Sequence, residues 1–320
     1  MALAFGHGSS VIAEWETTYG TLASGTAWKR LPVISYNPGI AQPWERLDIV
    51  GLAGARNEPD PLRGLLTVEP TAEIPVDLVN VGYWLRLMFG DPTTTGSTDF
   101  SHVFKSGGTT PRALSIEHGN AFTTNGFQRV LGVRGSTLEM TFRPGEALQT
   151  ATVSMVALSA PARASSSADS SPADATFTPF TGAVMTATRG GSALGRVTGA
   201  TLRFSNGLEN LREANRANGA ITEAAPGVTE VTGTVDIRMD TDTVLGDSEG
   251  TSAVALAFGY SLSATQALTM EVPEAYLNRV GIPVRGRAGI QASFTFRGAF
   301  NATAATSLVA TLANQQAAYT

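Results

Sequence analysis

The strongest constraint on this 320-residue chain is a set of short sequence words that occurs twice in one order. Ala113-Leu114-x-x-Glu117 returns as Ala267-Leu268-x-x-Glu271, 154 positions on (267 minus 113), and Arg129-Val130 returns as Arg279-Val280, 150 positions on (279 minus 129). Val133-Arg134-Gly135 is answered by Val284-Arg285-Gly286 in the same stretch. Upstream, Phe89-Gly90 is answered by Phe258-Gly259 (258 minus 89 is 169) and Gly64 by Gly233 (233 minus 64 is 169). The fall from 169 to 154 is fifteen residues, which places an insertion in Asp91 to Arg112, a Thr/Gly-rich excursion that the second half lacks. Any one pair would arise by chance; their common order predicts two copies of one domain. Between the copies, Ser159 to Asp174 reads SAPARASSSADSSPAD, small and polar with two prolines, and is expected to be a linker. The predicted division is a first domain over 1–158, a linker over 159–175, a second domain over 176–300 and an Ala/Thr-rich tail over 301–320 outside the repeat.

Each copy reads as strand, long loop, strand, helix, strands. Charged residues are only 15% of the chain, whereas 34 Gly with abundant Thr and Ser favour strands and turns over long surface helices. Trp28 to Ser35 and Arg196 to Ser205 are predicted to open the two halves, the second alternating through Val197, Ala200, Leu202 and Phe204. The segments Asn37 to Arg63 and Asn206 to Thr232 follow as loops longer than a mere connection requires. Pro75 suits a first helical turn, Val76 to Phe89 carries apolar residues at helical spacing (Leu78, Val81, Leu85, Met88, Phe89), and Gly90-Asp91-Pro92 stops it. Glu249 to Phe258 is the expected counterpart helix. Ser136 to Arg143, Ala151 to Leu158 and Arg287 to Phe300 alternate as strands, the last with Ile290, Ala292, Phe294 and Phe296 on one face. The fold class is therefore mainly β: two tandem β-sandwich or barrel domains, each with a flanking α-helix and a long loop.

Several functions lose support at this level. A net charge of −5 offers no basic stripe for gripping phosphates. With no Cys, disulfides, thiolate nucleophiles and thiolate zinc sites are all excluded. The N-terminus lacks the basic and apolar regions of a signal peptide, and no apolar run reaches the ~20 residues of a membrane helix. The three histidines, His7, His102 and His118, have no second His at ligand spacing and are expected at the surface. Asp240 and Asp242 have calcium-loop spacing, but Val244 stands at the next ligand place, so Asp247, Ser248 and Glu249 are expected instead to cap the short second helix. No catalytic residue, metal or cofactor is predicted.

Tyr19-Gly20-Thr21 before Trp28 to Val33, the loop Trp44 to Arg63, the Val76 to Gly90 helix with its Gly-Asp-Pro stop, and the repeated Arg-Val and Val-Arg-Gly words together resemble the major tail tube proteins of long-tailed, siphovirus-type bacteriophages, in a duplicated-domain form. The likeness spans roughly residues 11 to 300. It implies a virion protein made in the host cytoplasm, whose six domains per ring line a lumen, here as a homotrimeric pseudo-hexamer or alternatively a homohexamer. It also implies stacking of rings into a tube, contact with tape-measure and terminator or distal tail proteins, and passage of double-stranded DNA without specific binding. The loops are then the expected contacts between rings and subunits, through Trp44, Glu45, Arg46, Leu47 and Arg56 in the first and Leu208, Glu209, Leu211, Arg212 and Arg216 in the second. The inner tube of a contractile tail or secretion system shares this physics. A pair of carbohydrate-binding β-sandwich modules fits less well, because Trp15, Trp28, Trp44 and Trp84 all lie in the first half.

Overall fold

The computed structural model describes residues 8–25, 27–47, 60–120, 124–174, 176–214, 217–239, 241–282 and 289–319. The principal elements of the first half are β1 (Ser10–Trp15), β2 (Ser35–Asn37), β3 (Thr71–Pro75), α1 (Val81–Phe89), β4 (Thr93–Gly96), β5 (Phe100–Lys105), β6 (Leu114–Gly119), β7 (Phe127–Phe142) and β8 (Thr150–Val156). The second half supplies β9 (Met185–Arg189), β10 (Val197–Ser205), β11 (Glu230–Arg238), α2 (Thr243–Glu249), β12 (Val254–Ser263), β13 (Gln266–Leu277), β14 (Gln291–Gly298) and β15 (Val309–Asn314). The protein is mainly β, as its composition and alternation predict.

One antiparallel ladder runs through both halves in the order β2–β3–β8–β7–β10–β11–β14–β13. Its centre is the β7–β10 pairing, in register from Thr137↔Ser205 to Phe142↔Ala200. Period-two alternation fixes which face is buried. Leu138, Met140 and Phe142 of β7, Ala200, Leu202 and Phe204 of β10, and Ala292, Phe294 and Phe296 of β14 all point into one core shared by the halves. Ile290, on the same parity but before the strand, is exposed. The first part of β7 leaves this ladder to pair with β6, which pairs in turn with β1. The first part of β13 likewise pairs with β12 and β15.

The first helix starts later than its periodicity suggests. Pro75 ends β3 and pairs with Thr150, and Asp77 turns the chain by accepting the backbone N–H groups of Val79, Asn80 and Val81 at 3.0–3.3 Å. Burial pushes the Asp77 carboxyl above its ordinary range although those donors pull it down. From Val81 on, the helix is buried nearly all round; Trp84, Leu85 and Leu87 are among its covered side chains. It lies across the joint: Phe89 stacks on Phe204 of β10 with ring centroids 4.6 Å apart, and Gly135 of β7 lets Met88 approach where any Cβ would collide with its sulfur.

Other expectations are corrected. Trp28 to Ser35 is not one strand: Lys29–Arg30 forms a two-residue pairing with β1, and β2 begins only at Ser35. Thr243–Glu249, not Glu249 to Phe258, is the second helix. Leu256, Phe258 and Tyr260 bury alternate positions of β12, a period of two that the Ala-rich composition hides. Asp247, Ser248 and Glu249 thus lie at that helix's C-terminal end; Asp247 pairs with Arg189, and Ser248 donates to the Leu245 carbonyl at 2.8 Å. Phe89-Gly90 ends a helix while Phe258-Gly259 lies within a strand, and Gly64 stands in a loop while Gly233 is in β11, so those two word pairs do not occupy equivalent places. Val284-Arg285-Gly286, like His7 and Asp240, lies outside the described residues.

The segment read as a linker is bonded along the first half. Ala164 exchanges backbone hydrogen bonds with Phe127, Ala168 donates to the Glu117 carboxylate at 2.9 Å, and Ala173–Asp174 pairs in parallel with Lys29–Arg30. Its small side chains let the backbone lie close to the sheet margin, with Ala160 and Ala168 packed on the core.

The two pieces left over by the repeat pair with each other. The excursion after α1 is the β4–β5 hairpin, and β5 pairs with β15 from the C-terminal tail, which sits between β5 and β13. Beyond it Tyr319 is buried, edge-on to Tyr83 at 5.1 Å and to His102 at 4.9 Å, in a niche that exists because Gly82 carries no Cβ. His102 is therefore not a surface residue: it is fully buried, with Nδ1 2.8 Å from the Thr94 hydroxyl and Nε2 2.8 Å from the Gln316 carbonyl. His118 is half-buried, edge-on to Tyr36.

Truncating the tail ring should be costly. Tyr319→Ala is predicted to lower stability by about 3 kcal/mol, read as a reduced midpoint in urea unfolding. A second expectation concerns acid. Burial holds the His102 imidazole below its ordinary range, so the unfolded chain takes up the proton first. The stability this group contributes is present above the unfolded value, about 6.5, and is lost as pH falls from there towards the depressed folded value. The raised carboxyls of Asp77 and Glu16 act in the opposite sense. The melting-temperature difference between pH 7.5 and 5.5 should accordingly contain a histidine part that His102→Gln removes, the variant losing less on acidification than the unmodified chain.

Candidate functional site

Two loops stand out, each joining the first two ladder strands of its half. The loop between β2 and β3 carries a small hairpin, Trp44–Glu45 paired with Leu62–Arg63, closed by the Gly64 N–H donating to the Pro43 carbonyl at 2.8 Å. The loop between β10 and β11 carries another, Glu209–Leu211 paired with Glu223–Ala225. Because β2–β3 and β10–β11 belong to one continuous ladder, both loops are delivered side by side. They touch: the Leu66 N–H donates to the Asn218 carbonyl at 2.9 Å, and Leu65 covers Gly219, whose positive φ of 61° turns the chain there.

The second hairpin is anchored to the first half from below. Arg134 of β7 donates to the Ala224 carbonyl at 2.6 Å and to Glu223 at 3.2 Å, with its guanidinium 3.8 Å above the Tyr19 ring. Leu208, Ile221 and Ala224 pack there on Val156, Leu158 and Tyr19. Burial raises the Tyr19 hydroxyl pKa, so its ring stays neutral beneath the guanidinium.

The exposed side of the loops is another matter. Trp44 is 65% exposed and Leu62 59%, with Arg63 over the Trp44 ring at 5.6 Å; Leu65, Leu211 and Val228 are exposed as well. Large apolar side chains along the two loops, with Glu45, Arg46, Glu209 and Arg212 among them, form a surface suited to a protein partner rather than to a small molecule. Of the expected contact residues, the structure brings Trp44, Glu45, Arg46 and Leu47 to the first loop and Leu208, Glu209, Leu211 and Arg212 to the second. Leu208 and Leu47 are half-buried, Leu208 as part of the anchor, and Arg212 donates to the Gly219 carbonyl within its own loop. Arg56 and Arg216 lie outside the described residues. Sequence reasoning missed Leu62, Leu65 and Val228; an apolar residue beside glycine or arginine in an otherwise polar loop was the available signal. It also missed the Arg134–Tyr19 anchor, which is invisible without the fold.

Among the described residues no three His, Asp or Glu side chains come together to hold a metal ion, and no helix is long and apolar enough to cross a membrane.

If Arg134 ties the second loop down, Arg134→Met should leave the sheet folded but expose that loop. Limited proteolysis is expected to cut within Gly207 to Pro226 at least several-fold faster than in the unmodified chain.

A comparison with curated proteins returned no match. The phage tail tube protein family model matches residues 6–298, almost the whole chain. The chain belongs to that phage tail tube family and is a structural component of the virion tail.

Proposed function

From that membership we propose that the chain is the ring-forming subunit of a non-contractile, siphovirus-type tail tube, in a duplicated-domain form. Three chains close one pseudo-hexameric ring, rings stack through the paired loops, and the lumen passes the genome and the tape-measure protein during ejection. Assembly takes place in the host cytoplasm, and the tube ends meet terminator and distal tail proteins.

The observation that carries this reading is the β7–β10 ladder. A six-domain ring requires the sheet of one domain to run into the sheet of the next, and the pairing of β7 with β10 within this single chain supports such a junction between its halves. The order β2–β3–β8 with α1 following β3 also matches β10–β11–β14 with α2 following β11, which supports two domains of one kind. The outer face of the ladder fits a wall past which DNA slides. It presents Thr137, Thr201, Thr232, Thr234 and Thr295, with Glu139 opposite Arg203 and Arg297 paired with Glu230 at 2.6 Å. Hydroxyl groups hydrate well, and a carboxylate beside each of these arginines opposes a lasting hold on phosphate.

Trp44→Asp and Leu211→Asp test the loops. Both positions are exposed, so folding should be unchanged, while electron microscopy should show separate rings in place of tubes. Tubes of ordinary length in both variants would remove the loops from the stacking interface.

A further inference from the structure

We infer that a basic pocket at the loop end of the first half receives the exposed Asp242 carboxylate of a second copy stacked on it, and that this contact decides which half of one ring lies against which half of the next. The inference rests on the tube reading above and concerns a feature that the two halves do not share.

The pocket, of about 620 Å³, lies between the C-terminal end of α1 and the segment that joins β5 to β6, where Asp91, Lys105, Gly107, Gly108 and Arg112 are part of its lining. Asp91 is shared by two guanidinium groups, that of Arg86 at 2.7 Å and that of Arg112. Hydrogen bonding from Arg112 holds the Asp91 carboxyl below its ordinary range, so it stays ionised. One carboxylate thus stands among three cations. Lys105 donates to the Ala304 carbonyl at 2.8 Å but has no carboxylate partner among the described residues, and the Gly107 and Gly108 N–H groups have no acceptor among them. On a chain of net charge −5, this local excess of positive charge with free donors fits a carboxylate.

Asp242 is the complement at the far end of the chain. It immediately precedes α2, is exposed, and its carboxylate has neither an ion pair nor a capping hydrogen bond among the described residues. The two sites cannot meet within one molecule. The pocket sits beside the loops, because Asn206, which follows β10 into the second loop, donates to the Met88 carbonyl in the last turn of α1. β11 leaves that same loop at Glu230 and runs to Arg238 before α2 begins, which puts Asp242 about 30 Å away along the ladder. Head-to-tail stacking of a second copy brings such opposite ends together.

Each member of the pair occurs once per chain. α2 ends at Glu249 and β12 starts at Val254, so the second half lacks the excursion that walls the pocket. At the entry to α1 the carboxylate is that of Asp77, which is fully buried. The loops, present in both halves, allow either half to lie over either. One pocket and one carboxylate per chain favour only the first half of one ring against the second half of the next, and so key the rotation of pseudo-hexameric rings.

The test compares the full chain with Lys105→Glu, with Asp242→Lys and with the two combined, by cryo-electron microscopy of the tubes and circular dichroism of the fold. Both side chains are exposed, so folding should be unchanged. Each single reversal sets like charges against each other and is expected to lower the fraction of stacked rings about tenfold, and the combined variant to recover most of it. In the unmodified tube, the excursion of each first half should lie against α2 of the adjoining ring. Excursion against excursion, ordinary stacking in both single variants, or no recovery in the combined one would overturn the contact while leaving the tube reading intact. An unmodified chain that forms no tubes would overturn both. Should Lys105→Glu fail to fold, Asp242→Lys and the register of the unmodified tube decide.

Discussion

The pairing of β7 with β10 is the contact on which the rest of this structure depends. It joins the sheets of the two halves edge to edge over residues 137–142 and 200–205, so neither edge is left open at that point. The first helix and both long loops are positioned by it. The first helix lies over the joint with Phe89 on Phe204, and Asn206 locks the corner by donating to the Met88 and Gly135 carbonyls, both at 2.8 Å. The loops of the two halves emerge as neighbours because their parent strands share the ladder. Arg134, at the start of the β7 segment that enters the ladder, reaches beneath the second loop. A shift of one residue in this register would turn Leu138, Met140 and Phe142 to the polar face, which is why the alternation holds the joint so firmly.

A second link between the halves comes from the chain's end. β15 enters between β5 of the first half and β13 of the second, and Tyr319 then seals a niche made by Gly82, Tyr83 and His102. The halves are thus tied by the tail as well as by the central ladder and the loop contacts.

How much of this was legible in the sequence follows from the range of the interactions involved. Period-two runs such as Ala292, Phe294 and Phe296 declare their strand and its buried face locally, and so did β10 through Ala200, Leu202 and Phe204. The loops were legible as long polar segments, with Trp44 and Leu211 as their apolar exceptions. Local signals failed where tertiary contacts decide. Pro75 looks like a helix start, but pairing with Thr150 keeps it in a strand and leaves the turn to Asp77. The Ala-rich run before Phe258 has helical composition, yet β12 is held between β9 and β13. His102 and the tail could not be placed, because the burial of each depends on the other's neighbourhood, more than 200 residues away in the chain.

Whether one chain carries two ring positions is read most plainly by cryo-electron microscopy of the purified, concentrated protein. Hollow stacked rings with three-fold symmetry and a six-fold-like repeat of density, two lobes to each chain, are expected. Rings of six whole chains with one lobe apiece on the wall, or a chain that stays monomeric at every concentration, would show that it does not.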